Sequence, residues 1–142
     1  MADDNIITQL SIFVNNEPGR LAAIAGILKE CSINLKAFNL AESTEFGILG
    51  AIVDEPDRAY DLLKGKGIIV KKTDVVGMKI EDAPGSLLQA SETLGKAGIN
   101  IEYGYAYDGK NSAILFIRVD EPAKAASALR AEGVQLVTSE EI

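Results

Sequence analysis

Shifting the sequence by 66 residues lays one half of it over the other, and this internal repeat constrains the fold more than any other feature of the chain. Pro18-Gly19 falls on Pro84-Gly85, Leu21 on Leu87, Leu28 on Leu94 and Ile33-Asn34 on Ile99-Asn100. The register continues without a gap. Ile48-Leu49 meets Ile114-Leu115, Val53-Asp54-Glu55-Pro56 meets Val119-Asp120-Glu121-Pro122, and Ala59, Leu63 and Gly67 meet Ala125, Leu129 and Gly133, about fifteen identities in all. They gather at the Gly, Pro and Asn positions that punctuate element boundaries, so the repeated unit is a structural one. The 142 residues therefore read as two small domains, 1–72 and 73–142.

Periodicity gives the order of elements within a unit. "IITQLSIFV", residues 6–14, is rich in β-branched and aromatic side chains and reads as a strand. After Pro18-Gly19, an apolar stripe of Leu21, Ile24, Leu28 and Cys31 predicts a helix; Leu87, Ser91, Leu94 and Ala97 trace the same face more weakly in the second copy. Strands beginning "INL" and "INI" follow, each with its Asn one residue in. Turns at 43–45 and 108–111 lead to the strands "GILGAIV" and "AILFIRV". "DEP" then opens a second helix in each copy, with Pro where no N–H is needed. Gly67 and Gly133 end those helices, and "IIVKK" and "VQLVT" read as closing edge strands.

The order strand-helix-strand-strand-helix-strand, twice over, is an α+β arrangement of two ferredoxin-like βαββαβ units, each an antiparallel sheet with both helices on one face. A two-layer unit of this size has an open sheet face and exposed edges, which predicts docking between units and a homodimer.

Composition narrows the function. A net charge of −7 repels phosphate backbones and anionic lipids, so neither nucleic acid nor a membrane is expected as a partner. There is neither an apolar run of membrane-spanning length nor a secretion signal in "MADDNIITQL", and the single Cys31 forms no intrachain disulfide; a cytoplasmic protein is expected. His is absent, which removes the commonest general base and metal ligand, so no catalytic residue, metal or cofactor is assigned.

The Pro-Gly entrances carry the chemistry. On the plainest reading they are turns and helix starts, with Leu21 and Leu87 in the core. A Gly at a helix start also lets a ligand approach the backbone, where first-turn N–H groups and the helix dipole favour an anion. Asn16 and Asp82, three residues before each Gly, add side-chain oxygens beside those donors. Donors for a carboxylate next to acceptors for an ammonium suit a free α-amino acid. Asn34 and Asn100 recur in equivalent places, either as polar contacts across an interface or as ties within the helix-to-strand turn.

The stretches "NEPGRL" (16–21) with "SINL" (32–35), and "DAPGSL" (82–87) with "GINI" (98–101), resemble the ACT domain, a family of small amino-acid-binding regulatory modules. The resemblance covers nearly the whole chain as two units. It implies ligands held between paired ACT units by the loop from first strand to first helix and by the opposing second strand. Carried onto this sequence, the ligand contacts are Asn16, Gly19, Arg20 and Leu21 and their counterparts Asp82, Gly85, Ser86 and Leu87, with Asn34 and Asn100 contributed by a neighbouring unit. Arg20 aligns with Ser86 and Asn16 with Asp82, so the two loops are expected to differ in affinity. The chain has no room for a fused enzyme, which implies a free-standing sensor or a regulatory subunit for a biosynthetic enzyme or a transporter.

Tyr103, Tyr105 and Tyr107 share one strand face. Two are expected to pack against the helices and Tyr103 to lie near the ligand. Cys31 reads as a small core residue, "KGKGIIVKK" as a solvated helix end and edge strand, and "SEEI" as a polar tail. Two other functions stay open: a subunit regulating through protein contact without ligand, and an acylphosphatase-like enzyme, for which Arg20 beside Asn34 is a faint echo.

Overall fold

The run IITQLSIFVN forms strand β1 (Ile6–Asn15). The structure, a computed structural model, describes residues 4–42, 46–81, 84–108 and 112–142. Its chain divides into a first unit of residues 8–73 and a second of residues 74–142 with the opening segment up to Ile7.

In the first unit β1 leads to α1 (Arg20–Glu30), β2 (Leu35–Glu42), β3 (Phe46–Val53), α2 (Pro56–Gly65) and the opening of β4 (Val70–Ile80). β3 pairs antiparallel with both β1 and β2, giving the order β2-β3-β1 with β4 beyond it. Leu10, Ile12 and Val14 alternate along β1, and Leu49, Ala51 and Val53 along β3, so one sheet face is apolar. Ile24 and Leu28 of α1 and Ala59 and Leu63 of α2 pack on that face. Burying each such large aliphatic side chain is worth about 1.5–3 kcal/mol, which makes the paired stripes the main stabilising feature of the unit. The other face carries a polar cluster. Gln9 is fully buried over Gly50, its Nε2 donates to Ser11 Oγ at 3.1 Å, and Ser11 Oγ lies 2.8 Å from Thr73 Oγ1.

The second unit repeats the scheme with the rest of β4, α3 (Ser86–Lys96), β5 (Ile101–Asp108), β6 (Ala113–Val119) and α4 (Pro122–Ala131). β6 pairs antiparallel with β4 and β5. Val76, Met78, Ile117 and Val119 face Ala90 and Leu94 of α3 and Ala125 and Leu129 of α4. The fold is thus α+β, with two ferredoxin-like units as expected from the repeat.

Several local expectations are corrected. β4 is longer than the expected closing strand "IIVKK", running for 11 residues from Val70 to Ile80. "VQLVT" is no full strand, because only Leu136 bridges Met78, flanked by hydrogen bonds from Lys79 N to Gln135 O (2.8 Å) and from Val137 N to Gly77 O (2.9 Å). "SEEI" is no free tail. Ser139–Glu141 forms a 3₁₀ turn closed by a capping box, in which Glu141 accepts from Thr138 N–H at 3.0 Å and pairs with Lys79 at 3.5 Å, and Ile142 is buried.

The tyrosines also lie differently. A register shift between Ile101 and Tyr103 changes the alternation of β5, so Tyr105 and Tyr107 meet Phe116 on the face away from the helices, with ring centroids 5.5 and 6.5 Å apart. Burial holds the Tyr105 hydroxyl well above the usual phenol range, with Tyr103 adding to the rise. The buried stripes begin at Ile24 and Ala90, a turn later than expected, leaving Leu21 and Leu87 exposed. The turns expected at 43–45 and 108–111 fall on or run into residues outside those described.

Candidate functional site

Each helix entrance is built from a backbone conformation that the sequence dictates. Glu17, Pro18, Gly19 and Arg20 form a turn closed by Arg20 N–H donating to Glu17 O at 3.2 Å. Gly19, at φ 83° and ψ −7°, takes the left-handed second corner of a type II turn, which follows the Pro and excludes most other residues. Gly85 takes the same left-handed conformation at φ 96° and ψ −9°. Both glycines are helix N-caps and neither has a side chain with which to cap, so no side-chain hydrogen bond closes either helix. In α1 the Arg20 amide is used by the turn and Gly19 O accepts from Ala23 N–H at 3.0 Å, while the Leu21 and Ala22 N–H groups have no intrahelical acceptor. In α3 the Leu87 and Leu88 amides are placed likewise. No acidic residue sits in either first turn, so no carboxylate within those turns compensates the positive ends of the helix dipoles.

The first entrance borders a small hollow of about 90 Å³, lined among others by Val14, Asn16, Glu17, Leu21, Leu40 and Gly47. It brings together two of the expected residues, Asn16 and Leu21, and adds Leu40 of β2, which is 38% exposed. Arg20 is exposed, and among the described residues its guanidinium pairs with no carboxylate. The second entrance borders a larger cavity of about 320 Å³. Ser86 lines it, with its Oγ donating to Glu81 O at 2.9 Å. Leu87, 63% exposed, is not among the lining residues. Asp82 lies outside the described residues.

Gln89, Ser112 and Gln135 also line the larger cavity and were not singled out by the sequence. Gln89 stands one helical turn beyond Ser86, a spacing that could have flagged it. Gln135 is carried there by its backbone bond to Lys79, which no sequence pattern announces. The first copy has Ala23 and Ile69 in the positions of Gln89 and Gln135, so the two entrances differ in polarity as well as size.

Other expected residues stand apart within their own units. Asn34 and Asn100 lie immediately before β2 and β5, not inside them, beyond the far ends of α1 and α3. An 11-residue helix spans about 16 Å, so each Asn is roughly that distance along the axis from its own Gly19 or Gly85. Asn100 is tied into its turn, its N–H donating to Asp120 Oδ1 at 3.2 Å. Arg20 and Asn34, opening and following the same helix, do not form a phosphate cradle within their unit. Tyr103 pairs with Arg118 on β6, while Ser112 precedes Ala113 at the other end of that strand. Five strand residues span about 17 Å, which separates Tyr103 from the large cavity.

Among the described residues no group of three or more His, Cys, Asp or Glu is placed to hold a metal ion, and no helix is long and apolar enough to cross a membrane.

The chain matches the family described as ACT domain pair over residues 5–142. Among solved structures it is similar to protein BT0572 from Bacteroides thetaiotaomicron, at 36% identity and a TM-score of 0.89, over 98% of this chain and 97% of that one. It is also similar to the regulatory subunit of aspartate kinase from Thermus thermophilus in its ligand-free form, at 16% identity and a TM-score of 0.62, over 92% and 94% of the two chains. The corresponding subunit from Thermus flavus gives 16% identity and a TM-score of 0.61, over 87% and 88%. At such identities the two Thermus proteins share the fold. No curated protein sequence matches the chain.

Proposed function

The chain belongs to the family of ACT domain pairs, and from that premise we propose that it is a non-catalytic regulatory protein that binds a free amino acid at its type II helix entrances. The observation that carries the proposal is the doubled, uncapped helix start. Gly19 and Gly85 hold first-turn N–H groups ready for a carboxylate, with no acid of the chain in either first turn to compete. Arg20 adds a charged donor at the first entrance, and Asn16 an acceptor for the ammonium. A neighbouring ACT unit closes the ligand in, its Asn34 or Asn100, just ahead of the second strand, supplying a further polar contact. A protein of this kind acts on a separate enzyme or transporter in the cytoplasm, as a homodimer. The Thermus proteins are by description regulatory subunits of a kinase, which agrees with that role.

Thermal denaturation with each of the common amino acids tests the proposal. Ligand at a hundred times its Kd adds about 2.7 kcal/mol to the stability of the folded state, a readily measured rise in midpoint. Asn16→Ala and Asp82→Ala then report which entrance is used. If every amino acid leaves the midpoint unmoved, ligand sensing is refuted and regulation by protein contact alone takes its place.

A further inference from the structure

Resting on the amino-acid-binding function proposed above, we infer that the second entrance is the occupied one and that its ligand is a neutral amino acid with a carboxamide side chain. Volume separates the two entrances. At roughly 30 Å³ for each water-sized group, the 90 Å³ hollow beside Gly19 holds about three non-hydrogen atoms, enough for a carboxylate alone. The 320 Å³ cavity beside Gly85 holds about ten, the size of glutamine or asparagine, and reaches the lower end of ordinary ligand sites.

The lining selects the side chain. Gln89, Gln135 and Ser112 bring two amides and a hydroxyl, and among the described residues none of these side chains has another hydrogen-bond partner. Each amide both donates and accepts, which matches a ligand side chain that also does both. An apolar ligand side chain could pair with none of these groups, whereas a carboxamide can pair with several of them at once. The charged residues of the lining oppose an acidic side chain as well. Lys79 is already 3.5 Å from Glu141, and Glu81 adds a further carboxylate to the lining, so no cation is left over for an acidic ligand side chain. The first copy, with Ala23 and Ile69 in the places of Gln89 and Gln135, lacks the amide pair.

Calorimetric titration of the intact chain with all common amino acids, followed by the best of them on Gln89→Leu and Gln135→Leu, tests the inference. Both positions are exposed on the surface, so the variants are expected to fold, with circular dichroism as the check. Glutamine or asparagine should bind at least tenfold more tightly than glutamate, aspartate or leucine, and each substitution should weaken that binding about tenfold or more. A charged or apolar amino acid as the tightest ligand overturns the inference and leaves amino-acid sensing intact. So does an affinity that Arg20→Ala reduces more than either Gln substitution. If no amino acid binds, both the inference and the function it rests on fall.

Discussion

Replacing Gly77 with alanine tests how closely the second unit is packed on the face away from its helices. Gly77 lies in β4 directly opposite Phe116 of β6, and a methyl group there would stand 2.7 Å from Val137 Cγ2 and 3.3 Å from the Phe116 ring. Carbon atoms prefer separations of about 3.5–4.0 Å, so Val137 would have to retreat by about 1 Å. It has little freedom to do so. Its side chain is fully buried and β-branched, and its N–H is held to Gly77 O at 2.9 Å. Overpacking of this kind costs about 1–3 kcal/mol, while replacing a strand glycine by alanine returns about 0.5–1 kcal/mol of backbone entropy. The net expectation is a loss of about 1–2 kcal/mol. With a urea slope of about 2 kcal/mol/M, the midpoint followed by circular dichroism falls by about 0.5–1 M. Val137→Ala removes the offending methyl, so the double variant should be more stable than the two separate losses predict, by about 1 kcal/mol or more. A Gly77→Ala protein as stable as its parent, or losses that simply add, would refute the packing argument.

Gly19→Ala and Gly85→Ala meet no neighbouring atom, yet each forces a side chain into the left-handed region and should cost about 1–2 kcal/mol in the same urea assay; an unchanged midpoint would show that the turn readily adopts another form. The Glu141 carboxyl is held below its ordinary range chiefly by the Thr138 N–H, with Lys79 contributing. Its anchoring of the 3₁₀ turn is therefore complete above the unfolded carboxylate value of about 4.3 and is lost as pH falls through the lower folded value. Hydrogen exchange of residues 138–142, corrected for its intrinsic pH dependence, should rise on acidification in the parent protein, while in Glu141→Gln it should be high at every pH.

The fold was legible because duplication writes each boundary twice. Pro18-Gly19 and Pro84-Gly85, Pro56 and Pro122, Gly67 and Gly133 mark turns and caps whose dihedral demands leave few residue choices, and these are the positions at which the copies agree. What escaped the sequence depended on partners distant along the chain. Leu21 and Leu87 satisfy helical spacing yet stand exposed, and the buried stripes start at Ile24 and Ala90. Alternation along "YGYAY" gave a shared face correctly and the wrong side of the sheet, because the irregularity after Ile101 has no signature in composition. Ile142 looked like part of a polar tail only because its neighbours are acidic; its own apolar side chain decides its place. At the entrances, the glycines were readable and the lining was not. Gln135 reaches the cavity through a single backbone pairing with β4.

Under the proposed function, the two left-handed glycines leave gripping to peptide groups, which every residue carries. Substitutions around them can therefore change what is recognised without dismantling the means of recognition. Of two such sockets in one polypeptide, either is free to drift toward a new molecule, or to fall silent, while its twin keeps the old assignment.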